Sequence, residues 1–285
     1  MEQMCLMAVL AHPDDEVFST GGIFRRYRDA GVRTALVCAT RGEAGEISDP
    51  ALATPETLGQ VRERELRESC RILGIEDLSF LDYRDGTVAQ ADEVEAVGRI
   101  VRQIRRVRPQ VLVTFDPGGV YGHPDHIAIH HLTTSAFFKA GDPTCYPEQI
   151  AAGLPLYAPQ KLYYAAPMAS AFRRMRDLAA SLGLPFAPGG DAATLTVDQM
   201  GLPDQAITTI VELDDRAFEL KMAAMRAHRT QMRPDSYFNR LPPEAIREWR
   251  GTERFVLAFP PRDDMATGVI ETDLFSGVRL QENDE

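Results

Sequence analysis

Apolar runs alternate with amphipathic stretches through the first half of the chain. Positions 5–11 are continuously apolar, as in a strand buried on both faces. Positions 15–29 carry Val17, Phe18, Ile23, Phe24 and Tyr27 at roughly helical spacing, and Gly31 stops that helix. A second strand is predicted over 33–39, then a polar, glycine-containing loop from 40 to about 54. A charged helix follows over 55–73, with Pro55 at its start and Gly74 just past its end. A third strand over 78–81, a helix over 94–107, a fourth strand over 111–115 and a loop over 116–123 lead into a helix over about 124–138.

Strands that alternate with helices imply an α/β fold with a mostly parallel sheet and helices on both faces. In the common order 3-2-1-4-5, strands one and four are neighbours where the winding reverses. Their carboxyl ends then bound the crevice in which such folds bind ligands. The second half is less regular. Strands are predicted at 162–165 and 207–211, a helix at 214–228 and another apolar run at 255–259. The Ala-, Gly- and Pro-rich stretch 180–201 reads as a flap over the site or as a long surface loop. The polar tail after Arg262 is expected to fray.

The 285 residues suit one α/β domain with an insertion. The net charge of −11 disfavours nucleic acid and anionic membrane surfaces as partners. Cys5, Cys38, Cys70 and Cys145 form no Cys-x-x-Cys pair and read as free thiols of a reducing cytoplasm. No secretory signal pattern opens the chain, and no apolar stretch approaches the roughly 18 residues of a membrane span. A cytoplasmic protein without a membrane partner is expected.

Two polar clusters follow strands one and four. The first is His12-Pro13-Asp14-Asp15-Glu16, one imidazole and three carboxylates. Such acids repel one another unless a cation, hydrogen bonds or a helix N-terminus offsets their charge, and capping of the next helix is one use for them. The second is Tyr121-Gly122-His123-Pro124-Asp125-His126, again at a helix start. His130 and His131 fall within that helix and read as packing or surface residues. A catalytic zinc takes three N or O ligands and keeps a position open for water. His12, Asp15 and His126 supply such a set from the two sides of the crevice. Asp14 is then free as general base. His123 is a candidate second catalytic group, with Asp125 to orient it and favour its imidazolium form, and Tyr121 is a candidate to polarise a carbonyl.

At these residues the chain resembles the PIG-L/LmbE-like zinc-dependent N-acetylglucosamine deacetylases, which include the mycothiol- and bacillithiol-type enzymes. The paired His-Pro-Asp-Asp and His-Pro-Asp-His motifs carry the resemblance, which is close over about 6–138. Beyond that, Lys221, His228 and Gln231 resemble a late helix of the mycothiol-type members. The resemblance implies a Rossmann-like three-layer sandwich with a smaller C-terminal α+β extension. One deacetylase domain would span 1–285, with a metal-bearing core over 1–140 and an irregular part over 141–285 covering the pocket. It implies zinc on His12, Asp15 and His126, Asp14 as base, His123 assisting and Tyr121 near the substrate carbonyl. It also implies Glu43, Arg62 and Asp85 as contacts to the sugar, and a homo-oligomer. Residues 143–201 match no one subfamily.

The expected reaction is therefore hydrolysis of the acetamide of an N-acetylated amino sugar. Ferrous iron accepts the same ligand types as zinc. Two other classes share the ligands: a metal-dependent phosphoesterase, for which second-ion ligands and a basic patch are lacking, and a catalytically silent metal- or sugar-binding protein. A dinucleotide site is disfavoured, because no Gly-x-Gly-x-x-Gly follows the first strand.

Overall fold

A computed structural model describes residues 3–190, 193–232, 237–261 and 269–280, without the side chains of 237 and 238. Seven strands form one sheet in the order β3-β2-β1-β4-β5-β7-β6. They are β1 (Cys5–Leu10), β2 (Arg33–Cys38), β3 (Asp77–Phe80), β4 (Val111–Phe115), β5 (Lys161–Ala165), β6 (Thr209–Glu212) and β7 (Thr252–Phe259). The first five are parallel, and β7 pairs antiparallel with both β5 and β6. Every residue of β1 is buried, as its unbroken apolar run predicts for a central strand.

The helices are α1 (Asp15–Ser19), α2 (Gly21–Asp29), α3 (Leu58–Leu73), α4 (Glu93–Val107), the short α5 (Gly119–Gly122), α6 (Pro124–Lys139) and α7 (Pro147–Ala151). The second half adds α8 (Ala169–Ser181), α9 (Asp215–Ala227), α10 (Tyr237–Arg240) and α11 (Pro243–Arg250). Helices α2, α3 and α9 pack together, and α4 packs on α6. Right-handed crossovers put those two groups on opposite faces of the sheet. One continuous core of aliphatic and aromatic side chains fills the space between. A smaller cluster from α8, α11 and neighbouring loops, including Met175, Ile246 and Trp249, lies beside it.

Sequence patterns set several boundaries directly. Asp92 caps α4 by accepting from the Glu95 nitrogen at 2.8 Å, and Gly74 closes α3 at φ 78°. The helix expected over 15–29 is instead two helices. Thr20 leaves helical geometry at φ −144°, and its hydroxyl turns back to the Glu16 carbonyl at 3.0 Å. The second helix restarts against Glu253, whose carboxylate accepts from Gly22 N at 2.7 Å and Ile23 N at 2.8 Å. Lys221 neutralises Glu253 at 2.7 Å, with both side chains buried.

The irregular half completes the sheet. The segment 180–201, apart from residues 191 and 192, which lie outside the described residues, is tied to the loop after β4. Thr194 N and Leu195 N both donate to the Tyr121 carbonyl at 3.2 Å, and Pro188, Gly189 and Gly190 line the cavity described below. Of the tail after Arg262, residues 262–268 and 281–285 lie outside the described residues; Leu274 is buried in the core.

Candidate metal centre and cavity

Strands β1 and β4 are direct neighbours, with Ala8 opposite Val113. The polypeptide leaves both at the same edge of the sheet, so the two polar clusters meet there, at the reversal of winding. Each exit is conformationally demanding. Asp14 sits at φ 119° and Val120 at φ 67°, a region that side chains rarely adopt. Such strain is sustained only where the surroundings over-determine it, and it gathers at functional sites.

His12 Nδ1 lies 3.2 Å from His126 Nε2, Asp15 Oδ1 lies 3.3 Å from His126 Nε2, and Asp15 Oδ2 lies 3.6 Å from His12 Nδ1. A tetrahedral zinc with N and O ligands at about 2.0–2.1 Å spaces its donor atoms about 3.3 Å apart. The two histidine nitrogens therefore fit such an ion, and Asp15 sets one oxygen near each of them. His123 is within reach as well: its donor atom and those of His12 and His126 all lie within 4.8 Å of one another. A further set, His12 with Asp85 and Asp125, shares His12. Its two acids flank the other ring nitrogen, Nε2, at 3.1 and 3.3 Å. Carboxylates in that position fix the tautomer of a metal-binding imidazole and raise its basicity.

Electrostatics follow from this packing. Burial opposes a charge on His12, but hydrogen bonds to Asp125 and Asp85 outweigh it and raise the pKa to about 10. A cation held by Nδ1 would need that nitrogen unprotonated, with the Nε2 proton kept toward the two acids. Burial raises both Asp15 and Asp14 above the usual carboxylate range. Burial, and then the charges of His12 and His123, hold His126 well below the usual imidazole range.

One expected contact resolves differently. The Asp125 carboxylate does not orient His123. It accepts from Gly86 N at 2.8 Å and Val88 N at 3.1 Å and faces His12. His123 instead caps α6, its Nδ1 accepting from Asp125 N at 3.1 Å. The proton of the neutral ring then lies on Nε2. Burial and the charge of His12 lower the His123 pKa, so the neutral form is favoured over the expected imidazolium. Asp85, expected as a sugar contact, lines the cavity described below and is also engaged by His12 and by Ala44 N at 3.1 Å.

The other expected residues divide. Tyr121, His123, Asp14 and Arg62 line one cavity of about 500 Å³ with the metal-binding set. Arg62 is buried, donates to the Glu46 carbonyl at 3.0 Å and lies against Gly42 and Gly45, where a Cβ would stand under 3 Å from its side chain. Glu43 braces its own loop, accepting from Arg41 N at 3.3 Å and Asp85 N at 3.2 Å, while Ala44, Gly45 and Glu46 form the wall. His130 packs under the site with Nδ1 2.9 Å from the Phe115 carbonyl.

Glu16 has a role that its place in an acidic run did not reveal. It is fully buried and accepts from Asp14 N at 3.0 Å, from His228 Nε2 at 2.7 Å and from Ser69 Oγ at 2.5 Å. Gln231 secures the same turn by donating to the Pro13 carbonyl at 2.7 Å. The late-helix resemblance flagged His228 and Gln231, but only the fold brings them to residues 13–16.

A family model described as GlcNAc-PI de-N-acetylase (PIG-L) matches residues 7–137. A 1D-myo-inositol 2-acetamido-2-deoxy-alpha-D-glucopyranoside deacetylase from Thermobispora bispora is 36% identical, covering 96% of this chain and 98% of that protein. A second protein of that name, from Frankia casuarinae, is 40% identical over 95% of this chain and 93% of its own length. Among solved structures, the N,N'-diacetylchitobiose deacetylase of Pyrococcus horikoshii shares the fold, with a TM-score of 0.64 at 21% identity, covering 93% of this chain and 89% of that one. The motifs after β1 and β4, the family match over them and full-length relatives at this identity agree: the chain belongs to the PIG-L/LmbE-like deacetylase family.

Proposed function

We propose that the protein is a metal-dependent deacetylase that hydrolyses the N-acetyl amide of an N-acetylglucosamine-type conjugate. One observation carries the reading. Asp14 shares a single cavity with His12, Asp15 and His126, whose side chains converge from the ends of β1 and β4. The names of the full-length relatives support the substrate class.

When bound, zinc or ferrous iron supplies Lewis acidity toward the amide oxygen and lowers the pKa of water. Asp14 accepts the proton of the attacking water. The Nε2–H of neutral His123 and the Tyr121 hydroxyl donate to the oxyanion that develops on the amide carbon. Asp14, now protonated, returns the proton to the departing nitrogen. Arg62 and the 44–46 loop hold the sugar against the opposite wall.

Among the described residues no helix is long and apolar enough to cross a membrane. The four free cysteines support a cytoplasmic location. The phosphoesterase alternative gains nothing from the structure, because both sets of three donors draw on His12. Amine release from N-acetylglucosaminides, compared between metal-loaded and chelator-treated protein, tests the assignment. Release that persists after complete metal removal would refute it.

A further inference from the structure

The turn that carries Tyr121 is not regular helix. Val120 sits at φ 67°, ψ −63° and Tyr121 at φ −125°, ψ 17°, so the turn's amides and carbonyls need partners of other kinds. Its amides are served locally. The buried Asp116 carboxylate accepts from Gly118 N at 2.8 Å and from Val120 N at 3.0 Å. Its carbonyls are served by one distant stretch. Gly201 N donates to the Val120 carbonyl at 3.3 Å, and Thr194 N and Leu195 N donate to that of Tyr121 at 3.2 Å. Thr194 Oγ1 donates to the Gly122 carbonyl at 2.8 Å, across 72 positions of chain.

The two stretches also approach closely. A Cβ on Gly122 would stand 2.1 Å from Thr194 Oγ1, and one on Gly189 would stand 2.6 Å from Tyr121 Cδ2. The Tyr121 ring thus packs on the Gly189 backbone, and the His126 ring meets it edge-on with centroids 5.0 Å apart. The donating stretch is itself anchored. Thr196 and Gln199 form a reciprocal capping box. Leu202 N donates to the Pro167 carbonyl and Ala169 N to the Leu202 carbonyl, both at 2.9 Å. Thr194 is exposed and does not line the cavity. Its hydroxyl can therefore act on the reacting groups only through the turn.

We propose that Thr194 is a positioning residue: by fastening the Gly122 carbonyl, it holds the Tyr121 hydroxyl where the oxyanion develops. The inference rests on the deacetylase reading above and deepens its account of Tyr121. A donor aimed at a developing charge is effective when its position is fixed beforehand. A misplacement of about 1 Å can cost on the order of 10²-fold in rate. A turn at positive φ stays in place only where its surroundings over-determine it. Asp116 supplies that restraint through the amides, and Thr194 with Leu195 and Gly201 supplies it through the carbonyls. Removing the Thr194 hydroxyl leaves the Gly122 carbonyl without this donor and frees the turn to shift.

The test uses the full chain, metal-loaded, with the methyl glycoside of N-acetylglucosamine. Thr194→Val, which keeps the branch and removes the hydroxyl, should lower kcat about 3- to 10-fold and change KM by less than about twofold. Thr194→Ser should recover most of that loss. In a double-mutant cycle, Thr194→Val should cost nothing further once Tyr121→Phe is in place, because both changes act through one hydroxyl. Hydrogen exchange of the peptide spanning 117–123 should quicken by a similar factor in Thr194→Val and slow again in Thr194→Ser. Equal fractional losses in both Tyr121 backgrounds, a change in KM alone, or unchanged exchange in Thr194→Val would overturn the inference. Full turnover by Tyr121→Phe would overturn it as well. No amine release from any form, with exchange quickened in Thr194→Val and restored in Thr194→Ser, would refute the deacetylase reading and support the fastening of the turn.

Discussion

The Glu16 carboxylate meets the His228 imidazole at 2.7 Å across 212 positions of chain, with both side chains fully buried. The other oxygen of Glu16 accepts from the nitrogen of Asp14, the residue held at φ 119°. A late helix thus fixes the backbone that presents the base. His228→Leu leaves Glu16 buried without its cationic partner. Removing one member of a buried pair costs about 3–5 kcal/mol. Denaturant unfolding should report a loss of that size, and Glu16→Gln, which keeps the shape, should lower kcat more than it lowers stability. Unchanged melting and turnover in both variants would show that the pair does not position Asp14.

The break between α1 and α2 makes a second prediction. A Cβ on Gly22 would stand 2.2 Å from Leu213 Cδ1, and Leu213 is itself buried. Gly22→Ala should therefore destabilise the fold by about 1–3 kcal/mol, as overpacking does, despite the better helix propensity of alanine. Equilibrium unfolding of the two proteins decides it; a stabilised variant would mean that α2 does not approach the 213 loop this closely.

His130 gives a pH dependence separate from the metal. Burial lowers its pKa below the ordinary imidazole value, despite the hydrogen bond to the Phe115 carbonyl. The unfolded chain then binds the proton first as pH falls. The stabilising contribution of the neutral ring is complete above about pH 6.5. It is lost as pH drops from there toward the folded-state value. With chelator present throughout, His130→Gln should flatten the stability profile between about pH 7 and 5 relative to wild type. An identical slope in both would rule out this contribution.

Much of the site was legible in the sequence because it is local. His12, Asp14 and Asp15 follow one apolar run, His123 and His126 follow another, and the parallel order that alternating elements imply makes those runs neighbours. The strand order 3-2-1-4-5 stands, extended by β7 and β6. What periodicity did not reveal depends on distant partners. The helix break at Thr20 is fixed by Glu253, more than 230 positions away; the local signal for it, Gly21-Gly22 after Thr20, lies within an otherwise helical apolar spacing. Asp125 was expected on its sequence neighbour His123, but its carboxylate turns across the crevice to His12 because Gly86 N and Val88 N anchor it there. Glu43 and Glu46 look equivalent in the loop sequence, and only the fold shows that Glu46 lines the cavity.

The most direct test of the central claim combines amine release from an N-acetylglucosaminide with metal content, for wild type and Asp14→Asn. Asp14→Asn is expected to keep stoichiometric metal and to lose about 10²–10⁴-fold in turnover, as removal of a general base does. Near wild-type turnover by metal-loaded Asp14→Asn would contradict it.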